Sequence, residues 1–436
     1  MNVNKVVLFL KNIIHSDEEK VQLGWIYSIA IISVLFNLLL IGYKCFPDTK
    51  EYIQAYDVIL SGNLDWARTP VYPIFLGIIR TVVGHDLFYW GVVCVQSAIF
   101  VLSTRYFYKL VRLFTDRSDI SFWISIFYSL VPGFIDWNNT ILTESLAIAG
   151  TVFLFYFAVN GWQRNCVRAL LQFTVCLCLL CMLRPSFIYL LPVCAILWFV
   201  SFFMKEKRKI AYYGLSGVAF VAVVVLCYSF CFQRIYGIFT PSAVGTVNQY
   251  CIARQRNLLE PDVVNNKELK LDLIRILQRT NTESIEPYFN EFKELSRKYT
   301  LSDIHKAVST SINHNWRLYL TETIKIAQSA GNWKIFDSYV TKPIIRIKMN
   351  FLYLFVVVYA LFLVIITCRT KKVPYLSLFI YMAGCANIVF ILLGAQGEWT
   401  RLIAPSLPLF LIMLAQLLST LQLKIKIKKN ENFRLE

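Results

Sequence analysis

The sequence predicts an all-α polytopic membrane protein with about ten transmembrane helices and a helical layer on the outer side, and three observations carry that expectation. Of the 436 residues 57% are hydrophobic and only 16% charged, whereas soluble domains carry about 25% charged residues. Mean hydropathy is +0.54. Apolar runs approaching the roughly 20 residues that cross a bilayer recur along the chain, and Lys and Arg gather in alternate loops.

Spans are expected at about 24–44, 87–104, 120–135, 141–159, 168–183, 186–203, 211–232, 350–368, 375–393 and 402–422. The first run begins near Gly24 and is long enough to span, so no cleavable signal peptide is expected. The run 71–83 is apolar but short, with Pro73 inside it and Arg80 near its end, and reads as a helix in or dipping into the outer interface. Orientation follows from charge, because cytoplasmic loops carry excess Lys and Arg. With the N-terminus inside, the inner loops are 105–119, 160–167, 204–210, 369–374 and the tail with Lys424, Lys426, Lys428 and Lys429, and each is basic. The formal charge of +17 is then mostly an orientation signal and does not point to nucleic acid. An even number of spans with both termini cytoplasmic preserves this agreement.

Three regions follow: an N-terminal membrane module (1–232) whose first outer loop is 46–86, a large outer loop (233–348), and C-terminal membrane helices with the basic tail (349–436). In the large loop apolar residues recur at helical spacing, at Leu269, Leu273, Ile276 and Leu277, then at Ile304, Val308, Ile312, Trp316, Leu320 and Ile324. This predicts a small helical layer over the membrane part. There is no strand pattern and no internal repeat, and the missing repeat weakens a transporter reading. Most of the twelve cysteines fall in apolar runs and read as small hydrophobes; Cys45, Cys231 and Cys251 are the few placed to pair, and no bridge is assigned.

The chemistry concentrates in the outer turns. The first is FPDTKEYIQAYDVILSGNLDWARTPVYP from Phe46, with Asp48, Glu51, a short amphipathic turn over Tyr52, Ala55, Tyr56 and Ile59, then Arg68 and Tyr72. Asp136-Trp137-Asn138-Asn139-Thr140 leads into Thr143-Glu144, Arg184-Pro185-Ser186 separates two spans, and Glu398-Trp399-Thr400-Arg401 precedes the last. Singly, each admits a bland reading: a boundary Arg that snorkels, or a Glu that caps a helix. Four such places on one side point instead to a converging pocket. Sugar transfer from a polyprenyl phosphate needs a base for the acceptor, cations for the departing phosphate and a lipid-facing groove, and arginine suits phosphate through paired, charge-assisted bonds. His15, His85, His305 and His314 form no ligand set, so no metal is indicated, although carboxylates are able to hold a divalent ion. No Walker loop, zinc spacing or GxSxG elbow appears.

On Pro47-Asp48-Thr49 with Tyr52, Arg68-Thr69-Pro70-Val71-Tyr72-Pro73 with Phe75-Leu76, Thr143-Glu144, Arg184-Pro185-Ser186, and Arg401 with Pro405 and Pro408, the chain resembles the bacterial GT-C glycosyltransferases. That class includes protein O-mannosyltransferases and the aminoarabinose transferases of lipid A. The resemblance implies a GT-C-like bundle in the bacterial cytoplasmic membrane, a polyprenyl-phosphate sugar donor, an outward-facing site and Asp48 as catalytic base. Family members often carry two acids at this loop position, where this chain has Asp48 followed by Thr49, with Glu51 nearby. The chain is short for the class, which favours a lipid-linked or envelope glycan over a protein acceptor. The expected activity is inverting transfer of a hexosyl or pentosyl unit, with Arg68, Arg184 and Arg401 on the phosphate and Glu144 and Glu398 on hydroxyls. The rival readings are a polymerase or ligase using a diphosphate-linked oligosaccharide, and a lipid-linked sugar flippase.

Overall fold

The computed structural model describes residues 19–279, 286–336, 347–394 and 398–432, with side chains of the last helix as far as 421. Among the described residues the architecture is helical, and extended pairing is confined to the isolated bridges Lys44–Thr140 and Lys334–Lys348. The chain is a polytopic helical membrane protein. Every expected span is helical, but not every one qualifies as a crossing on its own. Among the described residues eight helices are long and apolar enough: Glu19–Ile41, Phe88–Arg112, Glu144–Arg164, Pro185–Phe202, Arg208–Tyr236, Met349–Thr370, Tyr375–Gly394 and Trp399–Leu421.

The two departures have local causes. Ser118–Leu130 and Pro132–Asn139 form a pair bent by 62°, because proline has no N–H to donate and its ring collides with the carbonyl four residues back. Val131, just before it, is extended (φ −74°, ψ 124°), as pre-proline residues tend to be. Val167–Leu183 has 17 residues and is ended by Arg184-Pro185, so it is a shorter apolar helix that links the basic 160–167 loop to Arg184. By length and composition, eight helices among the described residues, or nine counting the bent pair, are candidate spans, and Val167–Leu183 is a shorter apolar helix beside them. The short apolar helix expected at 71–83 is present as Val71–Val83.

Helix ends shift for equally specific reasons. The first helix stops at Ile41, where Gly42 takes φ +66°. Its terminal carbonyls find a side-chain donor, since Asn139 Nδ2 bonds the carbonyls of Asn37 (3.1 Å) and Gly42 (2.9 Å). Phe88–Arg112 runs about two turns beyond 104. The amphipathic turn after Phe46 is a full helix, Pro47–Leu60, with proline in its first turn.

Three of the basic loops share one end of the bundle. Gln163 Nε2 donates to the Leu113 carbonyl (3.1 Å), and Lys207 Nζ to Trp162 O (2.6 Å) and Asn165 Oδ1 (3.0 Å). These contacts join 105–119, 160–167 and 204–210. Residues 1–18 and the side chains of Lys424, Lys426, Lys428 and Lys429 lie outside the described residues.

One apolar core runs through the bundle, a second occupies the outer layer around Val247, Tyr250, Leu269, Leu273, Phe292, Ile304 and Val308, and a small third joins Ile26, Tyr108, Phe122 and Ile126. The expected inward faces of Lys267–Leu277 and Leu301–His314 are thus found. Trp316–Ala330 departs from expectation. Its Trp316, Leu320 and Ile324 are exposed, and the opposite face, with Tyr319 and Thr323, turns toward Arg256.

Candidate functional site

The first outer turn is built by hydrogen bonds that fix Asp48. Thr49 Oγ1 accepts from the Phe46 amide (2.9 Å) and donates to the Ile141 carbonyl (3.0 Å), tying the start of the Pro47–Leu60 helix to the 136–141 turn. Thr49 is buried, so the residue beside Asp48 anchors the helix and does not enter the pocket. Asp48, Glu51 and Tyr52 follow at i, i+3 and i+4, which places them on one helical face.

Arg68 is delivered to that face by a separate turn. Asp65 Oδ1 accepts the amides of Ala67 (2.9 Å) and Arg68 (2.6 Å). The segment is also strapped to the outer layer through Tyr236 Oη to Leu64 O (2.6 Å), Ser242 Oγ to Ala67 O (2.6 Å) and the Ala243 amide to Trp66 O (2.8 Å). The Arg68 guanidinium lies over the Tyr52 ring at 4.4 Å and bonds Asp48 (3.1 Å) and Glu51 (2.6 Å).

Arg401 is the hub. Its Nη2 meets Asp48 Oδ2 at 2.8 Å, its Nη1 meets Glu398 Oε2 at 3.0 Å, and its Nε donates to Glu144 Oε1. Arg184 Nη1 reaches the same Glu144 oxygen at 3.2 Å. Seven of the eight residues singled out from the sequence therefore form one continuous network, four carboxylates with three guanidinia. Side-chain exposure rises from 0% at Glu144 through 10–13% at the arginines to 30% at Asp48, 36% at Glu51 and 54% at Glu398. Glu144 is the buried end of the network, and Asp48, Glu51 and Glu398 are its exposed end.

Tyr72 stands apart. It is fully buried, packs edge-on against Tyr52 (4.9 Å), and donates its hydroxyl to Gln96 Oε1 (3.0 Å). Gln96 Nε2 in turn donates to the carbonyls of Asn138 (3.1 Å) and Thr140 (2.8 Å). Tyr72 supports the Tyr52 platform from behind. Asp136 is likewise internal, accepting from Asn37 Nδ2 at 2.9 Å. Tyr52 and Thr49 stood in the sequence motifs without a site role, and Asp65 and Gln96 were passed over. The helical spacing of Asp48, Glu51 and Tyr52 was a usable signal for the first, whereas the partners of Thr49 and Gln96 are remote in sequence.

Electrostatics favours the ionised form of Asp48. Burial pushes the Asp48 carboxyl up, but the charges and hydrogen bonds of Arg68 and Arg401 outweigh it and hold its pKa below the ordinary carboxylate value. Glu144 Oε2, Thr143 Oγ1 and Arg68 Nε are buried without a hydrogen-bond partner. Unsatisfied buried polar groups are costly, and these sit together at the head of the Glu144–Arg164 helix and beside Asp48. Among the described residues no group of three or more His, Cys, Asp or Glu is arranged to hold a metal ion.

No protein-family model matches the chain, and no curated protein sequence matches it. Among solved structures, the apo oligosaccharyltransferase of Archaeoglobus fulgidus matches with a TM-score of 0.51 and 12% identity, over 93% of this chain and 52% of that one. The fold resembles that of this archaeal enzyme. The same archaeal enzyme, AglB, in complex with an inhibitory peptide and a dolichol-phosphate matches with a TM-score of 0.49 at 12% identity, over the same shares of the two chains. The chain spans about half the length of these structures.

Proposed function

We propose that this GT-C-like chain is a membrane glycosyltransferase that moves a sugar from a polyprenyl-phosphate donor to a lipid-linked or envelope glycan, on the outer face of a bacterial cytoplasmic membrane with both termini inside. The observation that carries this reading is the convergence of Asp48, Arg68, Glu144, Arg184 and Arg401 at one end of the bundle, opposite the basic loops. The shared fold with an enzyme named an oligosaccharyltransferase agrees with it.

Exposure supports Asp48 as the base. An acceptor hydroxyl must reach the base, and Asp48 is 30% exposed while Glu144 is 0%. In the reaction the acceptor oxygen attacks the anomeric carbon as the bond from that carbon to the phosphate oxygen breaks. The configuration inverts, the proton passes to Asp48, and the phosphate leaves carrying the electron pair. A carboxylate held by two guanidinia is a weak base. A donor phosphate would compete for Arg401 and Arg68 through the same paired bonds, and Asp48 would regain basicity as its partners turn to the phosphate.

The test is transfer by purified protein in lipid. Asp48→Asn should insert normally and lose about 10²–10⁴-fold in rate, the span general-base catalysis supplies; unchanged turnover would remove the base assignment. The polymerase or ligase alternative separates by donor, since it requires turnover of a diphosphate-linked oligosaccharide and none of a monophosphate-linked sugar. Flux of a lipid-linked sugar with no new glycosidic bond would mark a flippase.

A further inference from the structure

The outer layer holds two buried arginines with opposite circumstances. Arg254 is fully satisfied, bonding Glu291 (3.2 Å) and the carbonyls of Ile276 and Arg279 (2.9 Å each). Arg256, two residues on, is 9% exposed, and its hydrogen bond, from Nη1 to Thr323 Oγ1, is 3.2 Å. Its Nε and Nη2 are buried and unpartnered, and no carboxylate pairs with it among the described residues. Glu322, whose charge reaches Arg256, is bound to Lys325 at 2.6 Å. The Tyr319 ring lies 5.5 Å from the guanidinium and Tyr319 Oη donates to the Leu393 carbonyl, so the cation is roofed where the outer layer meets the end of the Tyr375–Gly394 helix.

A buried cation without a counter-charge is a costly arrangement. Arg254 shows that this layer can satisfy a guanidinium when stability is all that is needed. The two free nitrogens at Arg256 offer the fork that suits an oxyanion. We propose that Arg256 is a second oxyanion-binding residue, separate from the Arg401 network, that takes a phosphate or carboxylate group of a ligand once the partly exposed Tyr319 ring swings aside. This rests on the outer layer alone and stands whether or not the transfer reading does.

The test is thermal melting of the purified full-length protein in detergent, titrated with inorganic pyrophosphate or with glucuronate at matched ionic strength. Without anion, Arg256→Met should melt at or above the wild type, because it removes an uncompensated buried charge. With anion, the wild type should gain stability with an apparent affinity at least tenfold tighter than that of Arg256→Met. The Arg401 network can also respond to phosphate, so only the component lost in Arg256→Met is counted. A response to pyrophosphate alone identifies a phosphate ligand, and to glucuronate alone a uronic-acid carboxylate. Equal responses in both proteins, no response to either anion, or an Arg256→Met protein that fails to fold would each overturn the proposal, the last by showing a structural guanidinium. Arg256→Lys keeps the charge without the fork and should fold normally while losing most of the affinity.

Discussion

At the scale of single residues, the site is governed by how many carboxylates share one guanidinium. Arg401 serves Asp48, Glu144 and Glu398 at once, which a point-charge ammonium cannot do from one position. Arg401→Lys should therefore insert but lose transfer at least about tenfold, read from turnover per inserted molecule. Arg401→Ala should also lower stability, toward the lower part of the about 3–5 kcal/mol seen when one partner of a buried pair is removed, because Arg184 stays at 3.2 Å from Glu144. A melting curve checks this. The acid limb follows from Asp48. Its folded pKa is depressed, so its stabilising contribution is complete above the unfolded value of about 3.9 and is lost as pH falls through the lower folded value. Melting of the wild type should be insensitive to this group from neutrality to about pH 5 and fall below about pH 4, a loss that Asp48→Asn should not show.

At the scale of elements, the pocket is held by close packing between segments that are far apart in sequence. A Cβ on Gly133 would come within 2.7–2.8 Å of the Phe336 backbone, and the stretch before Phe336 carries Lys334, whose carbonyl accepts from Thr400 Oγ1 (2.7 Å). Gly133→Ala should cost about 1–3 kcal/mol as overpacking and reduce transfer by shifting Arg401. Gly245→Ala, where a Cβ meets nothing inside the Val244–Gln255 helix, should be neutral or slightly stabilising. Gln96→Leu strands the Tyr72 hydroxyl and two carbonyls, at about 1–3 kcal/mol for a donor left unmade, and should loosen the Tyr52 platform under Arg68. Thermal melting of each variant, with transfer rate measured beside it, separates these outcomes.

At the scale of the whole molecule, basic loops at one end and the ion network at the other define a polarity across the bundle. In a variant lacking the exposed native cysteines, an impermeant maleimide added to intact cells should label Asn63→Cys, and Lys371→Cys only after permeabilisation. The reverse pattern would put the network on the inner face.

Hydropathy and charge, read along the chain, determined the helical membrane class, the positions of the spans and the four polar turns, because a bilayer-crossing helix and a charged loop are local properties of composition. Even the breaks at Pro132 and Arg184-Pro185 were written there. Tertiary structure alone decided that Asp48 meets Arg401 across 353 positions and Glu144 meets Arg401 across 257, that Thr49 and Tyr72 turn inward as supports, and that Arg256 is left without a counter-charge. Ion pairing depends on distances of a few ångströms between groups that no local pattern relates, so it exists only once the helices have packed.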